Sequence, residues 1–140
     1  MHIYTPITAA TQISLPIFSS RVAAGFPSPA QDYIERTLDL NELCVERPAA
    51  TFFVRVEGES MIEAGIFPDD VLVVDRSLTP RTGDVIIARV FNEFTVKQLE
   101  LGDPPRLLPR NARMQPIELS ADVEFEVVGV VTYALHSLRR

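Results

Sequence analysis

Ser60 lies in the stretch EGESMIEAGIFPDD, residues 57–70, directly after the strand-like run TFFVRVE. A serine in a Gly-bounded loop is ordinarily a turn residue. It becomes a nucleophile when a base within hydrogen-bond reach can take its proton. The only histidines are His2 and His136, each near a terminus, so a Ser-His-Asp triad is hard to assemble. The chain offers another base. Of its thirteen Lys plus Arg residues a single one is lysine, Lys97. Arginine keeps its proton in a protein, whereas a desolvated lysine can lose it. A neutral Lys97 beside Ser60 would form a Ser/Lys dyad. Such a base needs its pKa pulled from about 10.4 toward neutrality, on the order of 4 kcal/mol, and burial on an apolar face supplies effects of that size.

Two plainer readings stand beside this one. Lys97 can sit at a sheet edge with its ammonium in water, or an arginine-biased composition can leave one lysine by chance. Among the eight serines of the chain, Ser77 and Ser120 occupy ordinary turn or loop contexts. Ser60 differs because GESM follows a strand and opens the short turn IEAG. That context can aim backbone N–H groups, those of Glu59 and Ser60, at an oxyanion.

The elements that must position these residues are strands. ATFFVRVE alternates, with Phe52, Val54 and Val56 on one face. DVLVVDR, GDVIIARVF, EFTVKQLEL, RLLP and FEVVGVVTYAL follow, rich in β-branched and aromatic residues. FPDD, LTPRTGD, FNE and GDPPR separate them as turns, FNE as a tight hairpin. Within EFTVKQLEL the period of two puts Thr95, Lys97, Leu99 and Leu101 on one face. Asp69-Asp70 reads as a turn pair, and PRNARMQP, with Arg110 and Arg113, as a solvated loop. Strands without intervening helix-length segments predict a mainly β body, strongly curved and barrel-like. Before it, prolines at 6, 16, 27 and 29 oppose a long helix or central strand. Residues 1–40 therefore read as an extended N-terminal arm on a β-rich body of 41–140, with DLNELC a helical turn capped by Asp39.

A chain of 140 residues with 46% hydrophobic and 23% charged residues is one soluble domain able to bury its own core. The lone Cys44 reads as a small hydrophobe in a reducing compartment. MHIYTPITAATQIS lacks the basic and apolar regions of a signal peptide, and no apolar run approaches membrane length, so the expected location is cytoplasmic. The net charge of −6 opposes strong direct nucleic-acid binding. No CxxC, HExxH or Gly-rich phosphate loop appears, so neither metal nor cofactor is expected.

With those residues in view, EGESMIEAGIFPDDVLVVD resembles the nucleophile motif of the LexA-type self-cleaving serine peptidases, with Ser60 as nucleophile. GDVIIARVFNEFTVKQL resembles their second motif, with Lys97 as base. AAGFPSPA resembles their cleavage site, which places the scissile bond between Ala24 and Gly25. The run FPSPAQDYIERTLDLNELCVERPAATFFV is most similar to the UmuD-type branch of that family, and the resemblance extends from about residue 15 to the end. It departs from the UmuD pattern at Ala24, where a cysteine is expected; Ala-Gly is the pair of the LexA-type repressors. Val22-Ala23-Ala24 can lie as an added strand against a sheet edge, and Gly25 permits close backbone approach.

The resemblance implies an SOS mutagenesis protein that cuts itself at Ala24–Gly25, its 25–140 product serving an error-prone translesion DNA polymerase. It also implies a homodimer, a RecA–DNA filament as cleavage activator and a Y-family polymerase subunit as partner. Two alternatives remain: a non-catalytic module that binds such a polymerase, and a LexA-like regulator. The 24 residues before the cut are too few for a helix-turn-helix domain.

Overall fold

The computed structural model describes residues 2–4, 13–18 and 34–139. The Ala24–Gly25 bond lies outside the described residues. The chain forms two compact units, one of Ile7–Glu46 and one of Met1–Pro6 with Arg47–Arg140.

The first unit pairs β2 (Leu15–Phe18) with β3 (Ile34–Leu38) in antiparallel register, Leu15 opposite Leu38 and Ile17 opposite Arg36. Pro16 is tolerated there because a two-stranded ribbon leaves outer edges that need no donor. The single turn of helix α1 (Leu40–Cys44) follows. Asp39 caps it as its sequence suggests: Asn41 N–H donates to Asp39 Oδ1 at 2.7 Å and Ile13 N–H to Oδ2 at 3.0 Å.

The second unit is one antiparallel sheet. Its strands are β1 (His2–Tyr4), β4 (Thr51–Arg55), β5 (Val71–Asp75), β6 (Val85–Val90), β7 (Glu93–Glu100), β8 (Arg106–Leu108), β9 (Ile117–Glu118) and β10 (Phe125–Leu135). The spatial order is β1-β4-β5-β10-β6-β7-β8-β9. The expected mainly β body is thus present, while the sheet stays open, with β1 and β9 as its edges. The FNE hairpin is also present. Val90 pairs with Glu93, and the two residues between them, Phe91 and Asn92, both take left-handed backbone angles, φ 47° and 65°. That is the two-residue turn whose twist matches its strands.

Alternation along the strands buries both faces. On β6, Ile87 joins a cluster with Phe52, Val54, Met61, Leu72, Val74 and Val96, while its neighbour Ile86 joins a second cluster with Leu99, Leu107 and Val130. Gly129 lets β10 cross closely over β5: a Cβ there would stand 2.6 Å from Val74 Cγ1 and 3.2 Å from the Asp75 carbonyl oxygen. No helix among the described residues is long and apolar enough to cross a membrane.

Two features of this sheet prepare the site. Strand β8 is short and pairs with β7 only opposite residues 98–100, whereas β6 follows β7 from Glu93 to Gln98. The outer edge of β7 before Gln98 is therefore not taken by β8. The second feature is the excursion of residues 57–68 between β4 and β5. Its ends close where Val56 N–H donates to the Asp70 carbonyl and Asp69 N–H to the Val56 carbonyl, each at 2.9 Å.

Candidate active site

The 57–68 excursion is anchored by its apolar side chains. Glu57, Gly58 and Glu59 are exposed, Met61 is 2% exposed within the first core cluster, and Ile66 is buried there too. Ser60 stands between the wet and the dry parts, half-buried. After it a single 3-10 turn, Ile62–Ala64, ends at Gly65 in the left-handed region, φ 79°, where glycine carries no side-chain penalty. The anchoring of Met61 fixes the turn against β7, and Ser60 Oγ lies 3.4 Å from the Val96 carbonyl oxygen at the strand edge.

Lys97 comes to the same point from β7. Its Nζ stands 3.2 Å from Ser60 Oγ, 3.1 Å from the Val96 carbonyl oxygen and 2.5 Å from Thr95 Oγ1. Lys97 is 8% exposed, so it is not an edge lysine with its head in water. Among the described residues no carboxylate lies within ion-pair distance of it. Burial therefore acts unopposed by a counter-charge and pushes its pKa below the ordinary lysine value near 10.5. A hydroxyl beside a buried amine with depressed basicity is the arrangement that general-base catalysis requires.

The structure brings Ser60 and Lys97 together across 37 positions of sequence. The N–H groups of Glu59 and Ser60 donate no hydrogen bond among the described residues. His136 does not join the site. Its Nδ1 faces Asp70 Oδ1, and Asp70 is 1% exposed and also accepts from Phe67 N–H at 2.9 Å. Asp70 thus closes the FPDD turn from inside, beyond the turn preference its sequence shows.

Two contributions are not evident from local sequence. Thr95 reads only as a face-mate of Lys97, yet its hydroxyl is the nearest polar partner of the amine. The signal was available as a hydroxyl two residues away on the same strand face. The PRNARMQP segment reads as a solvated loop. Arg110 and Arg113 are exposed, but the backbone and Asn111 contact the Ser60 turn: Arg110 N–H donates to the Ser60 carbonyl at 2.7 Å, and Asn111 Nδ2 to the Glu59 carbonyl at 2.9 Å. No group of three metal-ligating side chains occurs among the described residues.

Residues 16–132 match the family described as Peptidase S24-like. The chain is 47% identical to Protein SamA of Salmonella typhimurium, over 91% of its own length and 89% of the relative's. It is 48% identical to Protein MucA of Escherichia coli, over 87% and 84%. It is 42% identical to LexA repressor 1 of Xanthomonas campestris, over 84% of this chain and 58% of the repressor. The chain belongs to the Peptidase S24-like family, and within it to the UmuD-type, LexA-like self-cleaving serine peptidases.

Proposed function

We propose that Ser60 and Lys97 cut this chain between Ala24 and Gly25. The observation that carries the reading is the 3.2 Å separation of Lys97 Nζ and Ser60 Oγ at a lysine that is almost fully buried. Neutral Lys97 accepts the Ser60 hydroxyl proton through its lone pair, and Ser60 Oγ attacks the Ala24 carbonyl carbon. The N–H groups of Glu59 and Ser60 receive the oxyanion. The ammonium of Lys97 returns its proton to the Gly25 nitrogen as the C–N bond breaks. Water, deprotonated by the same amine, then hydrolyses the Ser60 ester. The products are residues 1–24 and residues 25–140.

The substrate is part of the same chain, so its local concentration is high without binding affinity. Within an SOS mutagenesis protein of this family, the 25–140 product acts as an accessory subunit of an error-prone translesion polymerase. A homodimer, a RecA–DNA filament that promotes docking of the arm and a Y-family polymerase subunit complete the reading, and the location is cytoplasmic.

The test is intact-mass spectrometry of purified protein incubated from about pH 7 to about pH 10.5, the range in which a depressed lysine titrates, with and without the filament. Release of residues 1–24, faster as pH rises and abolished in Ser60→Ala and Lys97→Arg, is the expected result. Normal cutting by Lys97→Arg would sink the dyad, since arginine retains its proton throughout. The polymerase role is checked separately in a chain beginning at Gly25. There Ser60→Ala should leave mutagenesis intact.

A further inference from the structure

The segment joining β8 to β9 takes no part in the proton transfers described above, yet it grips the nucleophile turn on both sides of Ser60. Arg110 N–H donates to the Ser60 carbonyl at 2.7 Å, and Glu63 N–H returns a bond to the Arg110 carbonyl at 2.8 Å. Asn111 Nδ2 donates to the Glu59 carbonyl at 2.9 Å, and Ala112 N–H to Glu63 Oε2 at 3.0 Å. Asn111 is itself held, because its Oδ1 accepts from Arg113 N–H at 3.0 Å. The same segment touches the strand of the base: Arg110 Nη1 donates to Gln98 Oε1 at 2.9 Å, next to Lys97.

The peptide geometry gives these contacts a catalytic meaning. A trans peptide unit is planar, and its C=O and N–H point in opposite directions. Holding the Glu59 carbonyl on Asn111 therefore turns the Ser60 N–H away from the β8–β9 segment. Holding the Ser60 carbonyl on Arg110 does the same to the Met61 N–H. Neither N–H donates among the described residues. The turn is thus fixed from behind, with its donors directed elsewhere.

We propose that Asn111 is a positioning residue for self-cleavage. Its amide locks the Glu59–Ser60 peptide so that the Ser60 N–H is preset for the oxyanion, and Arg110 and Glu63 complete the clamp. This rests on the Ser60/Lys97 reading, because the oxyanion exists only if Ser60 attacks. Removing an oxyanion donor outright costs about 10²–10³-fold in rate. Releasing the support of such a donor costs part of that.

The decisive variant is Asn111→Asp. It keeps the shape and the Oδ1 acceptor for Arg113 while replacing the donor to Glu59 with an acceptor. Two quantities are measured at a temperature at which both proteins are folded by circular dichroism: the first-order cleavage rate against pH, with the filament present, and amide hydrogen exchange at Glu63 and Arg110. The expected result is an alkaline plateau lowered about 10–100-fold and faster exchange at both amides. A residue that served stability alone would lower Tm and leave the plateau of the folded protein unchanged. A wild-type plateau in Asn111→Asp, with Ser60→Ala inactive, overturns the clamp and leaves the dyad standing. Cleavage that survives Ser60→Ala overturns the dyad and the oxyanion role together. Unchanged exchange at Glu63 and Arg110 overturns the clamp whatever the cleavage result.

Discussion

Replacing Lys97 by methionine should abolish self-cleavage and stabilise the fold at neutral pH. Lys97 is 8% exposed and has no carboxylate partner among the described residues. Folding at pH 7 therefore either buries an ammonium or strips it of a proton, and both cost free energy. Methionine is of similar length and fills the space without a charge. Against the gain stand the hydrogen bonds Lys97 makes to Ser60, Thr95 and the Val96 carbonyl. Ser60 Oγ keeps its contact with the Val96 carbonyl oxygen at 3.4 Å, and the Thr95 hydroxyl can rotate. Relief of a buried charge is worth about 1–4 kcal/mol where it has been replaced by apolar side chains, and bonds lost to a charged donor offset much of that. The net gain is on the order of 1 kcal/mol, or a Tm rise of about 3–5 °C for a chain of this size.

The pH dependence separates this cause from ordinary packing. The folded pKa of Lys97 lies below its unfolded value near 10.5. Between the two, the unfolded chain holds the extra proton, so wild-type stability rises with pH in that window. The advantage of Lys97→Met should thus be largest below the folded pKa and shrink as pH rises toward about 10.5. Differential scanning calorimetry of both proteins across that range measures it, and cleavage should fall by at least about 10²–10⁴-fold. A Tm gap independent of pH, or a wild type more stable than the variant at pH 7, would refute the view that Lys97 is strained by desolvation.

Thr95→Val removes the nearest acceptor of the Lys97 amine; self-cleavage should slow about 10-fold from looser placement. The midpoint of its pH–rate profile should move down, because the ammonium form loses a stabilising oxygen, and an unmoved midpoint would count against that contact. Gly129→Ala drives a methyl to 2.6 Å from Val74 Cγ1. It should cost about 1–3 kcal/mol, seen as a Tm lower by about 4–12 °C with the dyad chemistry retained in the folded fraction.

The contact of Lys97 with Ser60 was legible because each half sits in a local pattern. Ser60 follows a strand and precedes a turn that ends at a glycine, and Lys97 is the single lysine, on an alternating strand. Burial of Lys97 was half legible: Leu99 on its face is buried, but Leu101 on that face is 55% exposed. The sequence period says which residues share a face, not how deep the face lies. The open edge of β7 depends on where β8 begins and ends, a pairing length that RLLP does not encode. That the sheet stays open was not legible for a related reason. Strand patterns specify faces, whereas closure depends on the edge strands β1 and β9 finding each other, and they do not. The grip of Arg110 and Asn111 on the Ser60 turn was illegible. Its bonds join residues some fifty positions apart, Asn111 to Glu59 and Ala112 to Glu63. Polar residues in a Pro-flanked loop have the same local appearance whether they face water or another backbone.

On the self-cleavage reading, a lysine base explains why the site is built into a sheet. A histidine titrates near neutrality in water and needs a carboxylate mainly to orient it. A lysine needs a dry place, so the tuning passes from a partner charge to packing. Here Lys97 is 8% exposed on β7, and Met61 and Val96, the sequence neighbours of Ser60 and Lys97, are buried in one cluster that seats the Ser60 turn on that strand. The cost is the stability that Lys97→Met should return. The benefit is an amine whose basicity is lowered by burial rather than by a neighbouring positive charge. On the self-cleavage reading, control lies in delivery of the Ala24–Gly25 bond and in removal of the Lys97 proton. A substrate held on the same chain favours the first of these, since a tethered peptide reaches effective concentrations that a free one does not.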